Sequence, residues 1–296
     1  METKSAFVAI VGRPNVGKSS LMNRLLGEKV AIVTNKPQTT RTRITGVLTV
    51  GETQLVFTDT PGLHSPRTKL SQYMVRQIDE SVADVDVAVL VCEPTGEPVK
   101  AELDLIESFR KGRMPAILAI NKIDTLSDKS LLLPKIQAMS ELYEFEDVIP
   151  LSAVTGDGTD ILLDKLCAMA QPSPHFFEDD TLTDQPERVI VAEIIREKLL
   201  QNLSEEIPHG TAVVVESMKE REGGGMIDIQ ATITCEKKSH KGIVIGKGGQ
   251  MLKKIATQAR EDIERFLDCR VNLQCWVKVK DDWRQDENIM RNLGFK

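Results

Sequence analysis

The 296-residue sequence predicts an α/β domain, a mostly parallel sheet flanked by helices, followed by a smaller α+β domain. Three observations predict it. An apolar run, Phe7 to Val11, leads through GRPNVGKS (Gly12 to Ser19) into the helical SLMNRLLG, which is a strand–loop–helix order. Two further strand-like runs end in short loops, DTPG (Asp59 to Gly62) and NKID (Asn121 to Asp124). Past a proline-bearing acidic stretch, residues 188–280 read α-β-β-α-α-β around a glycine turn, GKGG (Gly246 to Gly249). The length and the 41% apolar content suffice to bury two cores.

The first loop has the form G-x-x-x-x-G-K-[ST]. Its backbone N–H groups and the following helix N-terminus surround one point, where they can hold phosphate oxygens. Gly12 and Gly17 carry no Cβ to obstruct that approach. The candidate phosphate-binding residues are Gly12, Arg13, Pro14, Asn15, Val16, Gly17, Lys18, Ser19 and Ser20. Lys18 supplies a charge to the β- and γ-phosphates, and the Ser19 hydroxyl is a ligand for the Mg²⁺ that bridges them. This loop alone does not choose between ATP and GTP.

The second loop supplies the metal side. QLVFTDTPG puts Asp59 at the end of an alternating strand, where its carboxylate can hold Mg²⁺ through water, and Gly62 offers a backbone N–H to the γ-phosphate. The third chooses the base. MPAILAI (Met114 to Ile120) is an apolar strand, so NKID lies at its carboxyl end, where open α/β sheets bind ligands. The Asp124 carboxylate can accept two hydrogen bonds, from the N1–H and exocyclic amine of guanine, a donor pair that adenine lacks. Asn121 either bonds the base edge or ties this loop to the phosphate loop, and the Lys122 stem lies along the purine. Ser152 and Ala153, after DVIPL (Asp147 to Leu151), are the expected last contact, with the Ala153 N–H facing the base carbonyl.

In order and spacing, these four segments resemble those of the translation-factor-related GTPases, specifically the Era branch, over about residues 6 to 170. PQTTR (Pro37 to Arg41) resembles that branch's first switch. The resemblance implies that Thr40 reaches Mg²⁺ in the triphosphate state, with Thr39 as the other candidate. The implied switch residues are Thr39, Thr40, Asp59, Thr60, Pro61, Gly62 and Leu63. Ras-like enzymes have a water-orienting glutamine where this chain has Leu63, which cannot hydrogen-bond, so slow intrinsic hydrolysis of GTP to GDP is expected. Asn15 resembles a phosphate-loop asparagine that ligates K⁺ in some relatives, where the cation acts much as an arginine finger does. The expected catalytic set is therefore Asn15, Lys18, Thr40 and Gly62.

Charge is divided unequally between the halves. The chain has 38 basic and 44 acidic residues; from Thr181 onward there are 19 of each, which leaves 19 against 25 before it. Within the balanced half, Lys237 to Lys254 holds six lysines and no carboxylate. There an apolar turn, GIVI, enters GKGG and then a helix with apolar residues at Leu252, Ile255, Ala259, Ile263 and Phe266. Glycines beside a helix start let a nucleic-acid backbone pack closely, as in the GXXG clamp of KH domains. The expected RNA contacts are Lys241, Ile243, Val244, Ile245, Gly246, Lys247, Gly248, Gly249, Lys253 and Lys254.

The element order resembles the type II KH fold, which gives a GTPase domain at 1–172, a linker at 173–187 and a KH domain at 188–296. That pairing resembles Era-type GTPases across nearly the whole chain. It implies a cytoplasmic, monomeric switch that binds the 3′ region of 16S ribosomal RNA and assists small ribosomal subunit assembly. The alternatives are a GTPase with general single-stranded nucleic-acid binding, or one with a membrane-associated cell-cycle signalling role. No apolar run approaches 18 residues, so peripheral contact with the inner face of the cell membrane is the most expected of a bilayer. Five cysteines without a C-x-x-C pair read as reduced core residues rather than a disulfide frame or zinc site. METKSAF leads straight into the first strand, so no signal peptide is expected.

Overall fold

The computed structural model describes residues 2–34, 36, 39–62, 68–83, 85–204 and 207–295, with Asp79 and Ala83 by their backbone only. Leu63, Pro37 and Gln38 lie outside the described residues. Contacts divide the chain into two units.

The first unit contains β1 (Lys4–Val11), α1 (Lys18–Leu26), β2 (Ile44–Val50), β3 (Thr53–Asp59), most of α2 (Lys69–Ala83), β4 (Val87–Cys92), α3 (Lys100–Gly112), β5 (Ala116–Ile120), α4 (Leu132–Ser140), β6 (Asp147–Pro150), α5 (Thr159–Met169) and the short β7 (Gln171–Pro172). The strand order is β2-β3-β1-β4-β5-β6, with β7 antiparallel to β1. Only β2 runs antiparallel along the main path. Every residue of β4 and β5 is buried, as expected of central strands covered on both faces. Alternate residues serve opposite cores. Val8, Ile10, Val89, Val91 and Ile117 pack with Leu21, Met22 and Leu166 of α1 and α5. Ala9, Val11, Leu90, Leu118 and Ile120 pack with Ile78, Phe109 and Met139 of α2, α3 and α4. The two layers leave the carboxyl strand ends as the open edge, and the loops after β1, β3 and β5 emerge there.

The expected linker is in part a strap. From 173 to Asp184 it belongs to the first unit. The Gln54 side chain accepts the Phe176 and Phe177 N–H groups at 2.8 and 3.0 Å and donates to the Phe177 carbonyl at 3.0 Å. Phe176 packs on Phe7 with ring centroids 4.9 Å apart, and the Val47 N–H donates to the Leu182 carbonyl at 2.8 Å.

The second unit is Gln185–Lys296 together with described residues of Ile32–Thr39 and 68–73. It contains α6 (Glu187–Asn202), β8 (Thr211–Glu220), β9 (Met226–Cys235), α7 (Lys238–Ile245), α8 (Gln250–Leu267), β10 (Arg270–Val279) and α9 (Glu287–Asn292). The sheet order is β10-β9-β8, with β8–β9 antiparallel and β9–β10 parallel. One face is covered by Ile190, Ile194 and Leu199 of α6, Val244 of α7, and Ile255, Ala259 and Ile263 of α8. GIVI, expected as a turn, is the second half of α7. The α-β-β-α-α-β order of the type II KH fold is present. Beyond β10, Trp283 is fully buried, donates to the Gly210 carbonyl at 3.0 Å and stacks on Phe295 at 5.7 Å. All five cysteines are free thiols, and burial pushes Cys92 up to about 12.

Candidate functional site

The loop after β1 has a backbone that depends on its glycines. Gly12 and Gly17 hold φ of 146° and 99°, and Asn15 holds 64°. A Cβ on Gly12 would collide with the Val91 carbonyl, and one on Gly17 with the Asn121 amide. The loop curls around Lys18, whose Nζ donates to the Gly12 and Arg13 carbonyls at 3.1 and 3.0 Å. Burial lowers this ammonium to about 8, with the Asp59 carboxylate opposing that shift. Val16 is buried, Asn15 is exposed, and Pro14 and Ser20 are half-buried. The Arg13 guanidinium turns to Glu93 and approaches Glu102, so the Arg13 backbone, rather than its charged head, is the part that shapes the loop.

Three oxygens converge beside Lys18. Ser19 Oγ donates to Asp59 Oδ2 at 2.6 Å, Thr40 Oγ1 lies 3.0 Å from Ser19 Oγ, and Thr40 donates to Asp59 Oδ2 at 3.1 Å. Asp59 Oδ1 is buried with no hydrogen-bond partner among the described residues. Burial raises the Asp59 pKa, against the pull of Lys18, the Ser19 and Thr40 hydroxyls and the Thr60 N–H. A buried carboxylate with a spare oxygen beside two hydroxyls is a hard-oxygen donor set that fits Mg²⁺. Thr39 is elsewhere: its hydroxyl donates to the Lys36 carbonyl at 2.6 Å and meets Thr34 at 2.8 Å. After Asp59, Thr60 donates to the Ile10 carbonyl at 3.0 Å and Pro61 is buried. A Cβ on Gly62 would lie 2.7 Å from Pro14, so only glycine permits this approach to the phosphate loop.

The base loops are joined through one amide. Asn121 donates to the Val16 carbonyl at 2.8 Å and accepts the Ala153 N–H at 2.9 Å, linking three loops. The Asp124 carboxylate is exposed, and Ser152 Oγ donates to its Oδ1 at 2.6 Å. Lys122 has φ of 67°, and its Nζ donates to Glu93 at 2.6 Å. Of the two roles open to Asn121, the tie to the phosphate loop is present.

In the second unit, α7 and α8 are joined by Gly246 to Gly249. Gly246, Gly248 and Gly249 have φ of 74°, 58° and 79°. A Cβ on Gly246 would lie 2.6 Å from that of Met251, whereas one on Gly248 would meet nothing within 4 Å. Lys247, Lys253, Lys254 and Ile243 are exposed, and Lys241 and Ile245 are half-buried.

The family model "50S ribosome-binding GTPase" matches residues 7–122, and the "KH domain" model matches residues 206–284. GTPase Era of Ruminiclostridium cellulolyticum is 50% identical over 296 residues, covering 100% of this chain and 99% of that one. The chain belongs to the GTPase Era family. GTPase Era of Clostridium acetobutylicum is 48% identical over 293 residues, covering 99% and 98%. A crystal structure of an Aquifex aeolicus Era variant bound to GDP.AlF4- matches with a TM-score of 0.95 at 36% identity, covering 99% of both chains. A crystal structure of Era in complex with MgGDPNP and nucleotides 1506–1542 of 16S ribosomal RNA matches with the same score at 35% identity, covering 99% of both.

In this Era-family chain, one expected RNA contact changes character. Val244 is fully buried among Ile233, Ile255 and Val277, because the helical turn rotates it into the core, so its side chain packs the KH domain instead of facing a ligand. Sequence reasoning missed Glu93, Glu102 and Lys135, which belong to no motif and are brought together by the fold, Glu93 after β4, Glu102 on α3 and Lys135 on α4. It also missed α6 as a charged support: inside the second unit, Arg196 donates to the Thr39 carbonyl, and Glu197 accepts the Val33 N–H at 2.9 Å.

Proposed function

We propose that this Era-family GTPase is a GTP-dependent switch in the cytoplasm that binds the 3′ region of small-subunit ribosomal RNA and assists assembly of that subunit. The observation that carries the reading is the solved Era complex with 16S nucleotides, which matches this chain end to end, KH turn included. Bases would lie beside Ile243 and Ile245, with the backbone against Gly246 to Gly249, and Lys241, Lys247, Lys253 and Lys254 would add salt-sensitive attraction. No helix among the described residues is long and apolar enough to cross a membrane.

In the nucleotide site, the Gly12–Ser20 backbone and Lys18 would hold the phosphates, while Asp124 reads the guanine edge and the Ala153 N–H meets its carbonyl. Ser19, Thr40 and Asp59 are the residues that would hold Mg²⁺. When bound, that ion neutralises charge developing on the β- and γ-phosphate oxygens. Asn15 would add a K⁺ at the same phosphates. With leucine at position 63, no side chain there orients the attacking water, so intrinsic hydrolysis is slow. The γ-phosphate would hold Thr40 and Gly62 in place, and their release after hydrolysis would loosen Thr39, whose carbonyl Arg196 grips. By linkage, nucleotide would then set RNA affinity and RNA would set nucleotide affinity.

Filter binding of an RNA matching the small-subunit 3′ end, against a scrambled control, tests the proposal. Selective binding that Gly248→Asp abolishes is expected. Equal binding of both RNAs, unchanged in the variant, would overturn the KH assignment of function.

A further inference from the structure

We propose that Glu93 is a positioning residue of the nucleotide site, fastening the phosphate loop to the base-recognition loop through Arg13 and Lys122. The strand order puts it where it can. β4 lies between β1 and β5, so the residue just after β4 stands between the loops that follow its two neighbours. Glu93 Oε1 accepts from Lys122 Nζ at 2.6 Å, and Oε2 accepts from Arg13 Nη2. Although partial burial disfavours its charge, the Lys122 and Arg13 contacts together hold the Glu93 carboxyl below the usual range.

The bridge is anchored behind Arg13. Glu102, 1% exposed, lies 3.7 Å from Arg13 Nε, accepts the Val99 N–H at 3.1 Å at the start of α3, and pairs with the buried Lys135 of α4 at 3.3 Å. Charges alternate along Lys122, Glu93, Arg13, Glu102 and Lys135, running from the base loop to the α3–α4 core. An unanchored lysine side chain would have to be ordered each time nucleotide binds, at a cost in rotamer entropy. With its ammonium held by Glu93, the Lys122 stem is set along the purine face in advance. That predicts an effect on how long the nucleotide stays bound, with little effect on the hydrolytic step.

This inference rests on the reading of Lys122 as a purine-facing residue, and the experiment separates the two. Dissociation of a fluorescent GDP analogue from the full chain is timed for wild type, Glu93→Gln, Lys122→Met and the double variant, with GTP turnover measured alongside. The Glu93 and Lys122 side chains are each about a third exposed, which moderates the expected change. Glu93→Gln is expected to release GDP about fivefold faster. It should raise KM for GTP by about the same factor while leaving kcat within about twofold. The double variant should release GDP no faster than Lys122→Met, and the thermal midpoint without nucleotide should be unchanged. Wild-type release from Glu93→Gln beside accelerated release from Lys122→Met would overturn the Glu93 inference alone. Wild-type release from Lys122→Met would overturn the reading of Lys122 beneath it. Accelerations that multiply in the double variant, or a kcat loss matching the KM change, would also overturn the positioning role.

Discussion

The Ser19 hydroxyl donates to Asp59 Oδ2 at 2.6 Å, joining the start of α1 to the end of β3 across 40 residues of sequence. Thr40 completes the cluster from a third segment, and Thr39 stays out of it. We therefore expect Thr40→Ala to lower kcat for GTP by tenfold or more, on the order of 1.4 kcal/mol, and Thr39→Ala to lower it by less than about threefold. Steady-state turnover under saturating Mg²⁺ distinguishes them; equal losses would contradict the assignment of Thr40.

Asp124 presents two acceptor oxygens, one already taking the Ser152 hydroxyl. Asp124→Asn replaces one acceptor with a donor, which faces the guanine amine unfavourably but suits the C2 carbonyl of xanthine. Guanine-nucleotide affinity should fall about a hundredfold or more while xanthine-nucleotide affinity rises. Titration with GDP and XDP checks it, and an unchanged preference would remove Asp124 as the selector.

At φ of 64°, Asn15 occupies a left-handed conformation that glycine adopts without strain. Asn15→Gly therefore removes the amide while keeping the loop shape. GTP turnover in wild type should be several-fold faster in K⁺ than in Na⁺ buffer, and Asn15→Gly should abolish that difference. Equal rates for wild type in both salts would remove the K⁺ role.

His175 pins the strap, with Nδ1 2.6 Å from Asp179 Oδ1 and Nε2 3.1 Å from the Glu52 carbonyl. The Asp179 bond first, then that carbonyl, raises its pKa above the ordinary 6.5. The folded state thus binds the proton more tightly than the unfolded chain. The resulting stabilisation is complete below 6.5 and disappears as pH rises through the raised folded value. The thermal midpoint of wild type should therefore fall over that window relative to His175→Gln. Parallel pH profiles for the two proteins would contradict it.

The legible parts of the site were those whose chemistry is local. Gly12, Lys18 and Asp59 stand at spacings dictated by one phosphate group and one metal, and β1 and β3, which lead to these loops, are largely buried. Thr40 and Thr39 could not be separated by spacing, being adjacent hydroxyls that only the folded chain sends in different directions. Residues 173–184 have the proline-rich, acidic composition of a linker; the Gln54 amide, distant in sequence, makes them a strap. Val244 is the middle of three consecutive apolar side chains, which carry no period, and α7 turns it inward. Glu93 sits in no motif, and its contacts with Lys122 and Arg13 arise once the fold sets β4 between β1 and β5.

If nucleotide controls the RNA-binding turn, affinity for the small-subunit 3′-end RNA must differ between GDP and a non-hydrolysable GTP analogue, and filter binding in the two states measures it. Gly248→Asp is the matched control: a Cβ there meets nothing within 4 Å, and the strain of an L-residue at φ of 58° is one that Asp268 and Asp282 already bear at 48° and 49°, so the variant, its folding checked by thermal midpoint, sets a negative charge against the RNA backbone. Binding should be tighter with the analogue and lost in both states for Gly248→Asp. Identical affinities in the two nucleotide states would contradict it.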